Sequence, residues 1–249
     1  MELVLYIIIG FIAQMIDGTL GMAYGVSCRT LLKTLVKAPS SVVSAIVHYA
    51  EVPSSFASMI SHIKYKNVDK ELLKKLIVPG IVGSIIGAYI ITYNSIWIEI
   101  VIDIYLIVIG IFIVAKGLNK KTNKKTNKSK HYIQFLGFFG AFFDASGGGG
   151  WGPIVTGSLM TCTDNPKQII GTINASEFFI TLSSSIAFFI FVTNIKKYLI
   201  IIIGLIIGGV LAAPIAAKLC LKVKEKILYI IVGLLLIILN CYNIITIFV

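Results

Sequence analysis

Charge is scarce in this chain. Only 13% of its 249 residues are Asp, Glu, Lys or Arg, while 57% are hydrophobic, and the mean hydropathy is +0.93. A soluble domain carries about 25% charge, so a chain this apolar lacks the polar surface that keeps a soluble fold dispersed. A soluble enzyme, a disordered chain and a secreted disulfide scaffold are excluded together. Cysteine is sparse as well: Cys28, Cys162, Cys220 and Cys241 are far apart and form no CxxC pair. Each lies in an apolar segment, where a free thiol behaves as a small hydrophobe. The three histidines, His48, His62 and His131, do not join them at metal-ligand spacing, so no metal and no cofactor is expected. Gly-x-Ser-x-Gly, HExxH and Walker sequences are missing too. No catalytic residue is therefore assigned, the chain is not expected to be an enzyme, and ATP drive would need a partner subunit. The N-terminus has no basic n-region or small-residue cleavage site, so the first apolar run is expected to stay in the mature protein.

Long apolar runs are what the chain does have. Crossing a bilayer takes about 20 apolar residues, so eight spans would use roughly 160. The runs at 200–211 and 227–239 are continuous, not alternating as in a transmembrane barrel. The expected fold is an all-α polytopic protein of the cell membrane, with about eight transmembrane helices. The predicted spans are 3–27, 40–61, 72–93, 96–115, 132–160, 168–193, 198–218 and 227–248. The net charge of +11 does not point to nucleic acid. Lys116, Lys120, Lys121, Lys124, Lys125, Lys128 and Lys130 crowd into one stretch without acids or aromatics. That pattern fits a cytoplasmic loop, with attraction to anionic lipid as a compatible extra. Counting basic residues favours both termini inside, with 116–131 as a cytoplasmic linker.

The linker falls near mid-chain and prompts a search for an internal repeat. A shift of 127 residues lays 10–25 on 137–152, pairing Asp17 with Asp144, Gly21 with Gly148, Tyr24 with Trp151 and Thr19 with Ser146. Pro39 and Pro166 keep the same offset. One residue of gap later, 45–51 lies on 171–177, pairing His48 with Asn174 and Glu51 with Glu177. Gly83 and Gly87 fall in a small-residue run that matches 208–213. The chain reads as two homologous four-span halves, 1–115 and 132–249. Parallel and inverted arrangements both fit that reading.

Each half opens with an apolar stretch, an acid and a glycine cluster: Asp17 before Gly18, Gly21 and Gly25, and Asp144 before Gly147, Gly148, Gly149, Gly150 and Gly152. Each glycine in a helix interior costs about 1 kcal/mol relative to Ala. Non-helical backbone survives at membrane depth only where it is buried in protein or lines a polar cavity. The clusters are therefore read as helix breaks whose freed N–H groups can face an anion, with close helix packing as the alternative. Packing is the preferred reading for Gly83, Gly87, Gly204 and Gly208. Asp17 and Asp144 either cap the broken helices or carry a coupled proton or ion. Glu51 and Glu177 lie well inside apolar spans. His48 and Glu51 share one helical face, as do Asn174 and Glu177. Such faces form a polar lining or a proton relay, unless the glutamates merely hydrogen-bond a neighbouring helix. Arg29, the only arginine, is either interfacial or an oxyanion ligand. Ser27, Ser54, Ser55 and 183–185 either line a pathway or bond carbonyls one turn back.

The segments 10–26, 48–69, 137–155 and 171–179 together resemble the sulfite exporter TauE/SafE family, over essentially the whole chain. The resemblance implies a transporter with two repeats of about four helices. It also implies small organosulfur anions such as sulfite or sulfonates as substrates, often exported. The family's glycine-rich acidic motif falls on Asp17, Gly18, Gly21, Asp144, Gly147 and Gly148, and its His/Glu segment on His48 and Glu51. Residues 19–22 depart from it, reading Thr-Leu-Gly-Met where many relatives have a denser glycine run. The expected function is a secondary transporter of small oxyanions coupled to an ion or proton gradient. The alternatives are an uncoupled anion channel and a cation or metal transporter using the intramembrane carboxylates. The expected pathway comprises Gly18, Thr19, Gly21, Arg29, Ser146, Gly147, Gly148, Gly149 and Asn174. Coupling or capping falls to Asp17, His48, Glu51, Asp144 and Glu177. Expected partners are the small anion and membrane lipid. The oligomeric state stays open.

Overall fold

The computed structural model describes residues 2–36, 38–90, 96–118, 129–147, 150–161, 165–192 and 195–248, and no strand occurs among them. The helices in chain order are α1 (Glu2–Leu20), α2 (Tyr24–Leu35), α3 (Ser40–Lys64), α4 (Lys70–Ile90), α5 (Ile96–Leu118), α6 (Lys130–Gly147), α7 (Gly157–Met160), α8 (Pro166–Phe191), α9 (Leu199–Lys222) and α10 (Glu225–Phe248). A π-helical turn, Gly152–Thr156, leads into α7, and a 3-10 turn, Ile195–Tyr198, leads into α9. The core of the expected linker, 119–128, lies outside the described residues, as do Gly148, Gly149 and Cys162.

Six of the expected spans match one helix each, within a few residues. The spans 3–27 and 132–160 do not run through as single helices. The first stops at Leu20 and restarts as α2 at Tyr24, because Gly21 (φ 73°) and Ala23 (φ 89°) take left-handed backbone. The second stops at Gly147 and resumes through the π-helical turn. Local signals explain several other ends. Pro39 stands immediately before α3 and Pro166 opens α8, where the missing N–H is not needed. Asn165 caps α8 by accepting from Gln168 N–H, and Asp69 caps α4 by accepting from Glu71 and Leu72 N–H.

Helices pair closely, α1 on α9, α4 on α6, α3 on α8 and α5 on α10, with α3 also on α9 and α4 on α8. Lipid supplies no hydrophobic drive between helices, so close contact through small residues must hold them. A Cβ at Gly208 would overlap Ile7 and Phe11 backbone atoms, and one at Gly10 would overlap Leu205. Gly83 and Gly87 meet the Phe138 and Phe142 carbonyls in the same way, and Gly204 meets Tyr6 and Leu3. The packing role expected for these glycines is what the fold uses. Outer faces are apolar: Ile12, Val78, Phe189 and Ile200 are all exposed, as a lipid-facing surface requires. Glu2–Leu20, Lys70–Ile90, Pro166–Phe191 and Ile195–Lys222 are each long and apolar enough to cross a membrane. α3 is less apolar because His48, Glu51, His62 and a series of serines run along it. His48, Glu51, His62 and the serines at 44, 54, 55, 58 and 61 are buried.

Candidate transport site

Asp17, Glu51, Asp144 and Glu177 come from α1, α3, α6 and α8, and each is at most 6% exposed. The four carboxyl groups lie within electrostatic reach of one another. At about 4 Å and an effective dielectric near 20, two like charges repel by about 4 kcal/mol. Four ionised carboxylates therefore cannot persist together without protons or donors, and several donors converge on the cluster. Asp144 Oδ1 accepts the Trp151 N–H at 3.1 Å, and Asp144 Oδ2 lies 3.2 Å from His48 Nε2. Asp17 stands beside the Tyr24 amide and the Glu177 carboxyl, although neither of its oxygens reaches hydrogen-bonding geometry. Asp144 thus bonds the first amide after its break, whereas Asp17 lies beside the corresponding amide without bonding it.

Contacts recur between residues that the repeat alignment pairs. His48 on α3 reaches the Asp144 side chain, and its counterpart Asn174 on α8 donates to the Asp17 carbonyl at 3.2 Å. Ser58 Oγ donates to Asn174 Oδ1 at 2.6 Å. Ser55 and Thr181, paired at the same offset as His48 and Asn174, bond each other at 3.2 Å where α3 crosses α8. The two breaks also touch. Thr156 Oγ1 donates to the Gly21 carbonyl at 2.5 Å, and Gly152 packs on Met22 so tightly that a Cβ would sit 2.6 Å from the Met22 Cα. No group of three or more His, Cys, Asp or Glu is arranged to hold a metal ion among the described residues.

A buried acid–histidine cluster therefore lies where two broken helices meet. The family profile described as "Sulfite exporter TauE/SafE" matches residues 6–243. The chain belongs to the sulfite exporter TauE/SafE family. It is 34% identical over 252 residues to the "Probable membrane transporter protein YtnM" of Bacillus subtilis (strain 168), covering 98% of this chain and 83% of that protein. No solved structure matches it. This TauE/SafE chain is a multi-pass membrane transporter, and such transporters are not enzymes.

Within the TauE/SafE chain, the expected site residues do not all gather. Asp17, His48, Glu51, Asp144, Asn174 and Glu177 do. Gly21 forms the first break, and Gly147 ends α6 at the second. Gly18 and Thr19 lie earlier, inside α1. A Cβ on Gly18 would meet Ala216, and the Thr19 hydroxyl donates to the Ala216 carbonyl at 3.4 Å. Both residues serve the α1–α9 contact. Arg29 is half-buried on α2 and Ser146 half-buried near the end of α6. Ser54, Ser55, Ser183 and Ser184 bond carbonyls three or four residues back, the local reading weighed for them. Three participants were not expected: Ser58, Thr156 and the Trp151 amide. An acid followed after a glycine run by an aromatic, present at both 17/24 and 144/151, is the signal that would have pointed to the amide.

Proposed function

We propose that the chain is a secondary transporter that exports small oxyanions, with sulfite, a sulfonate or a related organosulfur anion as substrate and a proton gradient as drive. The observation that carries this reading is the meeting of both helix breaks with the four buried acids and His48 in one cluster. Ionised carboxylates repel an anion, so the acids cannot be its ligands. Asp144 and Asp17 instead orient the backbone at the breaks. Backbone amides at the two breaks other than those of Gly21 and Trp151 then serve as donors to the anion, in the manner of discontinuous transporter helices. Glu51, Glu177 and His48 are left to handle protons.

The chain is read as two repeats, 1–115 and 132–249, with the pathway between them. Support comes from reciprocal packing: α1 on α9 has its counterpart in α6 on α4, and α3 on α9 in α8 on α4, while α3 pairs with α8 and α5 with α10. The family's description and the relative's name supply the transporter class and the sulfur oxyanion. One observation favours a second reading, a cation or metal transporter: four acids share the site. Purified protein in proteoliposomes, offered sulfite, an alkyl sulfonate, chloride, sodium and divalent metals, separates the two. Sulfite or sulfonate flux supports the proposal. Metal flux without anion flux overturns it.

A further inference from the structure

His62 and His48 are both fully buried, and their hydrogen bonds impose different proton counts. The His62 ring is satisfied while neutral. Its Nε2–H donates to the Gly18 carbonyl at 3.1 Å, and its Nδ1 accepts from the Asn67 amide at 3.1 Å. The His48 Nδ1 lies 2.9 Å from the Ser44 carbonyl, which can only accept, so Nδ1 carries the hydrogen. A neutral ring in that tautomer presents a lone pair at Nε2. The atom facing that lone pair at 3.2 Å is Asp144 Oδ2, which as a carboxylate also only accepts. The contact is a hydrogen bond only when a further proton lies between the two atoms, on imidazolium or on carboxylic acid. The Phe188 ring, 5.1 Å from the His48 ring, covers the pair from α8.

We infer that His48 and Asp144 hold one exchangeable proton between them and that this proton is the one moved with the anion, a step absent at the equivalent Asn174. The inference rests on the transport reading above and names its coupling site. Loaded, the pair is neutral overall; unloaded, it carries one negative charge and two opposed lone pairs. Asp144 also holds the Trp151 amide at the second break, so loss of the proton disturbs the backbone that faces the anion. Proton state and break geometry are joined through one carboxyl group. Asn174 closes its bonds to the Asp17 and Ile170 carbonyls and to Ser58 without any titratable atom. One proton site therefore serves both halves. The other ionisable groups around the pair are Glu51 on its own helix, Asp17 on α1, Tyr24 and Cys28 on α2 and Glu177 on α8. α9 contributes Lys218, Cys220 and Lys222 in its last two turns, and Lys196 and Lys197 precede it, exposed.

Two measurements test this on the full chain. In proteoliposomes at a pH alkaline enough to hold sulfite as its dianion, sulfite and protons are followed together for wild type and His48→Asn. Protons moved per sulfite should fall to the protein-free level in His48→Asn and stay at the wild-type ratio in His131→Asn, an exposed histidine at the start of α6. An unchanged ratio in His48→Asn overturns the inference. Nitrogen NMR of histidine-labelled protein reads the ring directly. His48 Nδ1 should carry hydrogen, and Nε2 should show a proton shared with a second acceptor, a signature that Asp144→Asn removes. A His48 Nδ1 without hydrogen, or an Nε2 signature indifferent to Asp144→Asn, overturns it as well. Sulfite that fails to move at all counts against the transport reading, and the nitrogen spectra still decide the shared proton.

Discussion

Replacing Gly152 with alanine should damage the protein far more than replacing Gly157, five residues along the same segment. A Cβ at Gly152 would stand 2.6 Å from Met22 Cα and 2.9 Å from both Met22 Cβ and the Gly21 carbonyl oxygen. Carbon atoms rest at about 3.5–4.0 Å, so roughly 1 Å of separation is missing. Most of the obstructing atoms are backbone, and that backbone is fixed. Gly21 takes φ 73°, its N–H donates to the Asp17 carbonyl at 2.6 Å, and its own carbonyl accepts from Thr156. Relief requires the two breaks to separate. Overpacking of this kind costs about 1–3 kcal/mol, and stretching the Thr156 bond adds about 0.5–1.5 kcal/mol. At about 2–4 °C per kcal/mol for a chain of this length, the melting midpoint should fall by roughly 3 °C or more. At Gly157 the new Cβ would meet only the ends of Ile109 and Leu236 side chains, at 3.1 and 3.3 Å. Those can turn aside, so that variant should melt near wild type. Purified protein in detergent, followed by scanning fluorimetry, gives both midpoints. Equal midpoints, or a larger loss at Gly157, would refute the contact between the breaks.

Asp144→Asn should keep the fold, because an amide oxygen can accept from Trp151 and an amide NH2 can donate to His48 Nε2. Asp144→Ala should lose about 0.5–2 kcal/mol with its cap, and thermal melts of the two variants side by side check the contrast. Thr156→Val strands the buried Gly21 carbonyl and should cost about 1–3 kcal/mol, read from the same melts. Gly208→Ala sets a Cβ against the Ile7 and Phe11 backbone of α1, which cannot turn aside, and should cost about 1–3 kcal/mol. A midpoint equal to wild type in the same melts would contradict the close approach.

The sequence carried the helices because apolar runs and prolines mark them directly: Pro39 and Pro166 stand at the starts of α3 and α8. The helix breaks were legible from Asp17 and Asp144 followed by glycine, since a run of glycines is costly inside a helix, with close packing the competing reading. Their positions were less so. Gly18 looked like part of the first break and is a packing residue against Ala216, because a glycine needed for close approach and one needed for positive φ are identical in sequence. Thr19 failed as a pathway donor for a related reason, since its hydroxyl answers a carbonyl on α9, 197 residues away. Partners at that separation leave no trace in local pattern. The pairing of His48 with Asp144, 96 residues apart, was likewise invisible, although both residues were singled out for their rarity in an apolar chain. Repeat register came closest to revealing the site, because aligning His48 with Asn174 and Asp17 with Asp144 already named the members of the cluster.

The most direct measurement is sulfite accumulation in proteoliposomes under an imposed pH gradient and nothing else. The account predicts that sulfite is concentrated against its own gradient, that a protonophore abolishes the accumulation, and that His48→Asn does the same. Sulfite that merely equilibrates, at a rate indifferent to the pH gradient, would contradict proton coupling and leave an anion channel in its place.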